Sequence, residues 1–121
     1  MKATKSDLQK IDRLQKRSDF LLLNTHATKW VSKSMIVLAL DNQLGHPRYG
    51  ITVTKKLEKT SVGRNRMKRR LRNIAAEHLS AHAHLSKDYV LIARSGVATK
   101  PYEDLSREFL WCLEKLGHVG N

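Results

Sequence analysis

The chain has 121 residues, with 23 lysines and arginines against 11 aspartates and glutamates, a formal net charge of +12. One domain is expected at this length, and 40% hydrophobic residues suffice for one modest core, which excludes a largely disordered basic tail. The positive excess asks for a polyanionic partner, and no apolar run approaches the roughly 20 residues of a membrane span.

A single cysteine, Cys112, cannot form an internal disulfide, and the N-terminus (Met1 to Asp12) is polar, so a cytoplasmic setting is expected. Residues 1–17 are charged and read as a flexible basic arm before one domain over 18–117, although Leu8, Ile11 and Leu14 recur at helical spacing. Ser18 is placed to cap a short helix carrying Phe20-Leu21-Leu22-Leu23. Thr28 to Val31 suits a short strand, and Met35 to Leu40 a strand buried on both faces. Asp41 to Pro47 reads as a turn. Arg48 to Thr54 then alternates, with Tyr49, Ile51 and Val53 on one face. Gly50 lies on the other face, either as a site of close approach or as a tolerated strand glycine.

Residues 61–79 make the longest helix, and Ser80 to Lys87 a polar connection. Asp88 to Arg94 is a second buried strand. Thr99 and Pro101 open a last helix whose stripe is Leu105, Phe109, Leu113 and Leu116, with Trp111 opposite it and Gly117 placed to end it.

The most informative segment is Arg64-Asn65-Arg66-Met67-Lys68-Arg69-Arg70-Leu71-Arg72, where six of nine residues are basic and none is acidic. On a helix, Met67, Leu71, Ile74 and His78 form a narrow apolar stripe, and the cations sweep the wide face opposite. Like charges at i, i+4 each destabilise by a few tenths of a kcal/mol, so stability alone does not account for them. Arginine dominates, and its guanidinium fork bonds phosphate bidentately and stacks on bases. Lys55 and Lys56 extend the positive surface. The apolar stripe is too narrow for a membrane-surface helix, and no helix-turn-helix or finger spacing marks a DNA reader. RNA recognised by shape and backbone fits best.

This run closely resembles the RNR signature of the protein subunit of bacterial ribonuclease P. Four more segments are similar in the same order: Lys16-Arg17-Ser18-Asp19-Phe20, Tyr49-Gly50-Ile51-Thr52-Val53-Thr54-Lys55-Lys56, Asp88-Tyr89-Val90-Leu91-Ile92-Ala93-Arg94 and Tyr102-Glu103-Asp104-Leu105. The resemblance implies an α/β (α+β) two-layer sandwich of order αβββαβα, its mixed sheet having a left-handed βαβ crossover around the basic helix. It implies a protein that joins one catalytic RNA, 1:1, and assists removal of the 5′ leader from precursor tRNA. The chemistry and its Mg2+ then belong mainly to the RNA. RNA-binding residues would be Arg64, Asn65, Arg66, Lys68, Arg69, Arg70 and Arg72, with Lys55, Lys56 and Arg17. Phe20, Thr52 and Thr54 would line the leader cleft. Asn24 and Leu38 stand where the family often has aromatics.

Phe20 alternatively anchors its helix to the sheet. Glu77, His78, His82 and His84 are weak metal candidates. No acid/base pair or activated nucleophile is expected. The competing class is a structural RNA-binding protein of ribosomal type.

Overall fold

The computed structural model describes residues 11–81 and 86–117. Its elements are β1 (Asp12–Arg13), α1 (Arg17–His26), β2 (Thr28–Val31), β3 (Met35–Asp41), β4 (Arg48–Thr52), α2 (Ser61–Ala81), β5 (Lys87–Ala93) and α3 (Tyr102–Lys115). They form one mixed sheet of order β1-β4-β5-β3-β2. β4 runs parallel to β1 and β5, whereas β3 is antiparallel to both β5 and β2. The parallel neighbours β4 and β5 are joined through α2, the crossover unit that the family resemblance implies.

β3 and β5 are apolar on both faces because both faces are covered. On one side α2 and α3 pack Leu71, Ile74, Leu79, Leu105, Phe109 and Leu113 onto Val37, Tyr89 and Leu91. On the other, α1 lays Leu23 and part of Phe20 over Leu38 and Val90. The expected two-layer sandwich thus gains a partial third layer.

Of the basic arm expected over 1–17, residues 1–10 (Leu8 among them) lie outside the described residues, and the segment around Asp12 to Leu14 joins the sheet. Asp12 and Arg13 pair with Arg48 and Tyr49, the Leu14 N–H donates to the Tyr49 carbonyl at 2.7 Å, and Leu14 is buried. Ile11 packs with the larger core and Leu14 with the smaller. Their spacing of three, read as helical, carries them to opposite faces of a sheet instead.

The expected caps also shift. α1 begins one residue before Ser18, and the Lys16 carbonyl accepts the Asp19 and Phe20 N–H groups. Pro101 holds the N-cap position of α3, while the Thr99 N–H closes a turn onto Gly96. Gly117 ends α3 as expected, at φ +77°, where glycine has no Cβ to strain.

A buried Asp88 ties the layers together. Arg48 donates to it bidentately at 2.8 and 2.7 Å, and Asn42 Nδ2 donates to it at 2.8 Å. The Arg48 guanidinium also lies 3.8 Å from Asp19, which fastens α1 to the sheet. The Asp88 hydrogen bond outweighs desolvation and raises the Arg48 pKa further.

Candidate nucleic-acid interface

α2 is started by Thr60, whose hydroxyl accepts the Gly63 N–H at 3.0 Å and whose carbonyl accepts that of Arg64 at 3.0 Å. Its stripe buries Met67, Leu71, Ile74, Ala75, Ala76 and Leu79, as the periodicity requires. His78 completes the stripe, with Nε2 at 2.5 Å from Ser106 Oγ and the ring tilted against Phe109. The cations therefore face away from the core, but they do not share one fate.

Arg66, Arg69 and Asn65 are exposed, and among the described residues no hydrogen bond or ion pair engages the two guanidiniums. Arg64 and Arg70 are held. Arg64 donates to the Glu58 and Lys59 carbonyls at 2.9 Å each and to Ser61 Oγ, bracing the loop before its own helix. Arg70 donates to the Val97 carbonyl at 2.7 Å and also to that of Lys100, and so clamps the β5–α3 loop. Arg70, expected to contact RNA, has both terminal nitrogens engaged by carbonyls of its own protein. A helical wheel gives its direction but not the loop carbonyls waiting there.

Lys68 and Arg72 turn toward the sheet. With Arg13 they surround a pocket of about 160 Å3 whose walls include Phe20, Gly50, Leu14 and Tyr49. The pocket opens where β1 ends, leaving β4 without a neighbour on that side beyond Tyr49. Burial pushes the Tyr49 phenol up, and the Arg13 and Arg72 charges pull against that shift. Arg13 was missed because it lay in the supposed arm.

Gly50 resolves as a site of close approach. A Cβ there would stand 2.5 Å from Phe20 Cζ, so the ring lies directly on the glycine backbone. Phe20 is half-buried: it packs against the smaller core cluster and also lines the pocket.

Thr52 lies farther along the same sheet face. It begins a row of cross-strand neighbours, Thr52, Ile92, Ile36 and Val31, all keeping some surface exposed beyond α1. Thr54 is past the strand, where its hydroxyl accepts the Leu57 N–H at 3.3 Å, so it shapes a turn rather than a cleft wall. That turn carries the exposed Lys55 and Lys56. Arg17 is exposed at the first residue of α1.

Among the described residues no three His, Cys, Asp or Glu side chains gather to hold a metal ion. Glu77 accepts the Tyr102 hydroxyl at 3.0 Å, while His82 and His84 lie outside the described residues. Cys112 is fully buried, and burial pushes its thiol up. Among the described residues no helix is long and apolar enough to cross a membrane.

Comparison with known proteins identifies the family. The family model for Ribonuclease P matches residues 8–117. The ribonuclease P protein component of Paramagnetospirillum magneticum is 39% identical over 89% of this chain and 84% of its own length. That of Streptococcus pneumoniae is 33% identical over 94% of this chain and 93% of its own. The RNase P protein structure from Staphylococcus aureus superposes with a TM-score of 0.74 at 29% identity, covering 93% of this chain and all of that one. The chain belongs to the ribonuclease P protein family and is the protein subunit type of that ribonucleoprotein.

Proposed function

We propose that this chain binds the catalytic RNA of ribonuclease P, one protein to one RNA, through the exposed face of α2, and receives the 5′ leader of precursor tRNA in the cleft beside it. The observation that carries this reading is the juxtaposition of an unpaired arginine pair, Arg66 and Arg69, with a pocket joining the Phe20 ring to Lys68, Arg72 and Arg13. Cations of this kind lower the repulsion between two sets of phosphates, those of the RNA subunit and those of the substrate. The ring offers one stacking surface to an unpaired leader base. The reading leaves Mg2+ and the phosphodiester hydrolysis to the RNA. The protein's part is to bind, to orient and to screen charge, in the cytoplasm where precursor tRNA is processed.

The test is salt dependence. Binding of the full chain to its RNA subunit should weaken steeply with salt, and each phosphate contact adds about 0.7–0.9 to the log–log slope. Arg66→Ala and Arg69→Ala should each weaken binding and flatten that slope by close to one such increment. An unchanged slope in both variants overturns the assignment of this face.

A further inference from the structure

The opposite edge of the sheet carries a second cluster of aromatic and cationic side chains that the ribonuclease P reading does not use. β2 is the outermost strand there, about 14 Å from β4 at three strand spacings. From Thr28 to Leu40 the sequence contains lysines but no acidic residue. Trp30 on β2 and Trp111 on α3 meet edge to face, with ring centroids 5.7 Å apart and an angle of 76°. Lys115 Nζ stands 6.0 and 5.8 Å from the two ring centroids. Trp111, at 42% exposure, also forms part of an open pocket of about 610 Å3 with Val31, Ser32, Lys33, Arg94 and Glu108. That volume accommodates a nucleotide.

We propose that this edge is a second RNA site, in which one unpaired base stacks on Trp111 and the adjoining phosphates meet Lys33 and Arg94. The pieces are fixed before any ligand arrives. Trp30 braces the Trp111 ring, so stacking orders little that is not already ordered. Arg94 donates one guanidinium N–H to the Ser32 carbonyl at 2.6 Å, which anchors the fork while leaving other donors for a phosphate. Glu108, the acid in the pocket, accepts from Ser32 Oγ and the Ser34 N–H at 2.6 Å each and pairs with Lys100 at 3.2 Å. Its charge is thereby offset, and its role is to hold the turn that presents Lys33.

Exposed aromatic faces flanked by cations bind single strands, whereas a duplex keeps its base faces stacked inside. A second copy of this chain would bring Lys29, Lys33, Arg94 and Lys115 against their own kind. The site is independent of the α2 face, and its proof or failure leaves the ribonuclease P reading untouched.

The chain has two tryptophans, and both lie here, so intrinsic fluorescence reports on this edge alone. Titrating the full chain with an octaadenylate RNA should give saturable quenching. Lys33→Glu, at an exposed turn position, should raise the half-saturation concentration several-fold. Trp111→Leu, followed through the remaining Trp30, should raise it about 5- to 150-fold, the worth of one stacked base. Arg69→Ala on α2 should leave the quenching curve in place. The proposal is overturned if octaadenylate does not quench, if Lys33→Glu has no effect, or if Arg69→Ala abolishes the signal. It is equally overturned if an RNA hairpin or anionic phospholipid vesicles quench as strongly, or if emission changes with protein concentration alone.

Discussion

On one face of the sheet two helices seal a continuous core, from Met67 on α2 to Leu113 on α3. On the other a single ten-residue helix covers Leu38 and Val90, leaving Thr52, Ile92, Ile36 and Val31 in a partly open row. The thick face supplies most of the apolar burial and so most of the stability. The thin face leaves side chains of the sheet within reach of a ligand, and α1 itself exposes Leu21 and Leu22. Under the proposed function, stability and recognition are separated across one sheet, with α2 serving both by turning its stripe inward and its cations outward.

The largest expected effect tests that separation. Phe109→Ala on the thick face should cost about 3–5 kcal/mol of unfolding free energy. Leu23→Ala on the thin face should cost about 2 kcal/mol, the bottom of the range for buried leucines, because its surroundings relax more easily. Equal losses in denaturant titrations would erase the distinction.

Next in size is a contrast between neighbours on α2. Arg70→Ala removes two charge-assisted bonds to the β5–α3 loop and should destabilise by about 1.5–3 kcal/mol. Arg69→Ala, at an exposed side chain with no hydrogen bond or ion pair among the described residues, should stay within about 0.5 kcal/mol of the parent. A thermally silent Arg70→Ala would show that the clamp contributes little.

Phe20→Leu keeps most of the packing on Gly50 and removes the stacking surface. Precursor tRNA should bind the reconstituted holoenzyme more weakly, by about 1 kcal/mol, the low end for a stacked base, with mature tRNA unaffected. Gly50→Ala should do the same by pushing the ring from its seat, since the added Cβ would meet Phe20 at 2.5 Å. Equal weakening for both tRNAs counts against a leader contact.

The smallest effect concerns pH. Burial alone would raise the Glu108 carboxyl, but hydrogen bonds from Ser32 and Ser34 and the Lys100 ammonium outweigh it and hold the pKa below the ordinary 4.5. A depressed folded pKa stabilises at pH above the unfolded value and loses that contribution as pH falls through the folded one. The melting temperature of the parent should therefore drop faster below about pH 4.5 than that of Glu108→Gln, by a few degrees.

Much of this was legible from residue order. The periodicity of Met67, Leu71 and Ile74 and of Leu105, Phe109 and Leu113 located both long helices and the faces they bury. The unbroken apolar runs around Val37 and Val90 located the strands covered on both sides. β1 was not legible, because two residues carry no alternation and their pairing depends on Arg48 and Tyr49, far along the chain. Arg13 stayed hidden with it. The difference between Arg69 and Arg70 was equally out of reach, since it depends on where the loop after β5 lays its carbonyls. The contact between Trp30 and Trp111 joins the second strand to the last helix and leaves no local pattern.

The position of β5 has a consequence for how the molecule is assembled. It is the last strand of the sheet along the chain and the central one in space, flanked by β4 and β3. Until it emerges from the ribosome, the β2–β3 hairpin and β4 share no ladder, and the apolar stripe of α2 lacks part of its support. Such distant pairings delay folding, because loop closure must come before the contacts that reward it. The cationic helix is therefore synthesised before its platform is complete, and the proposed RNA-binding face takes shape only once β5 slots between the two halves.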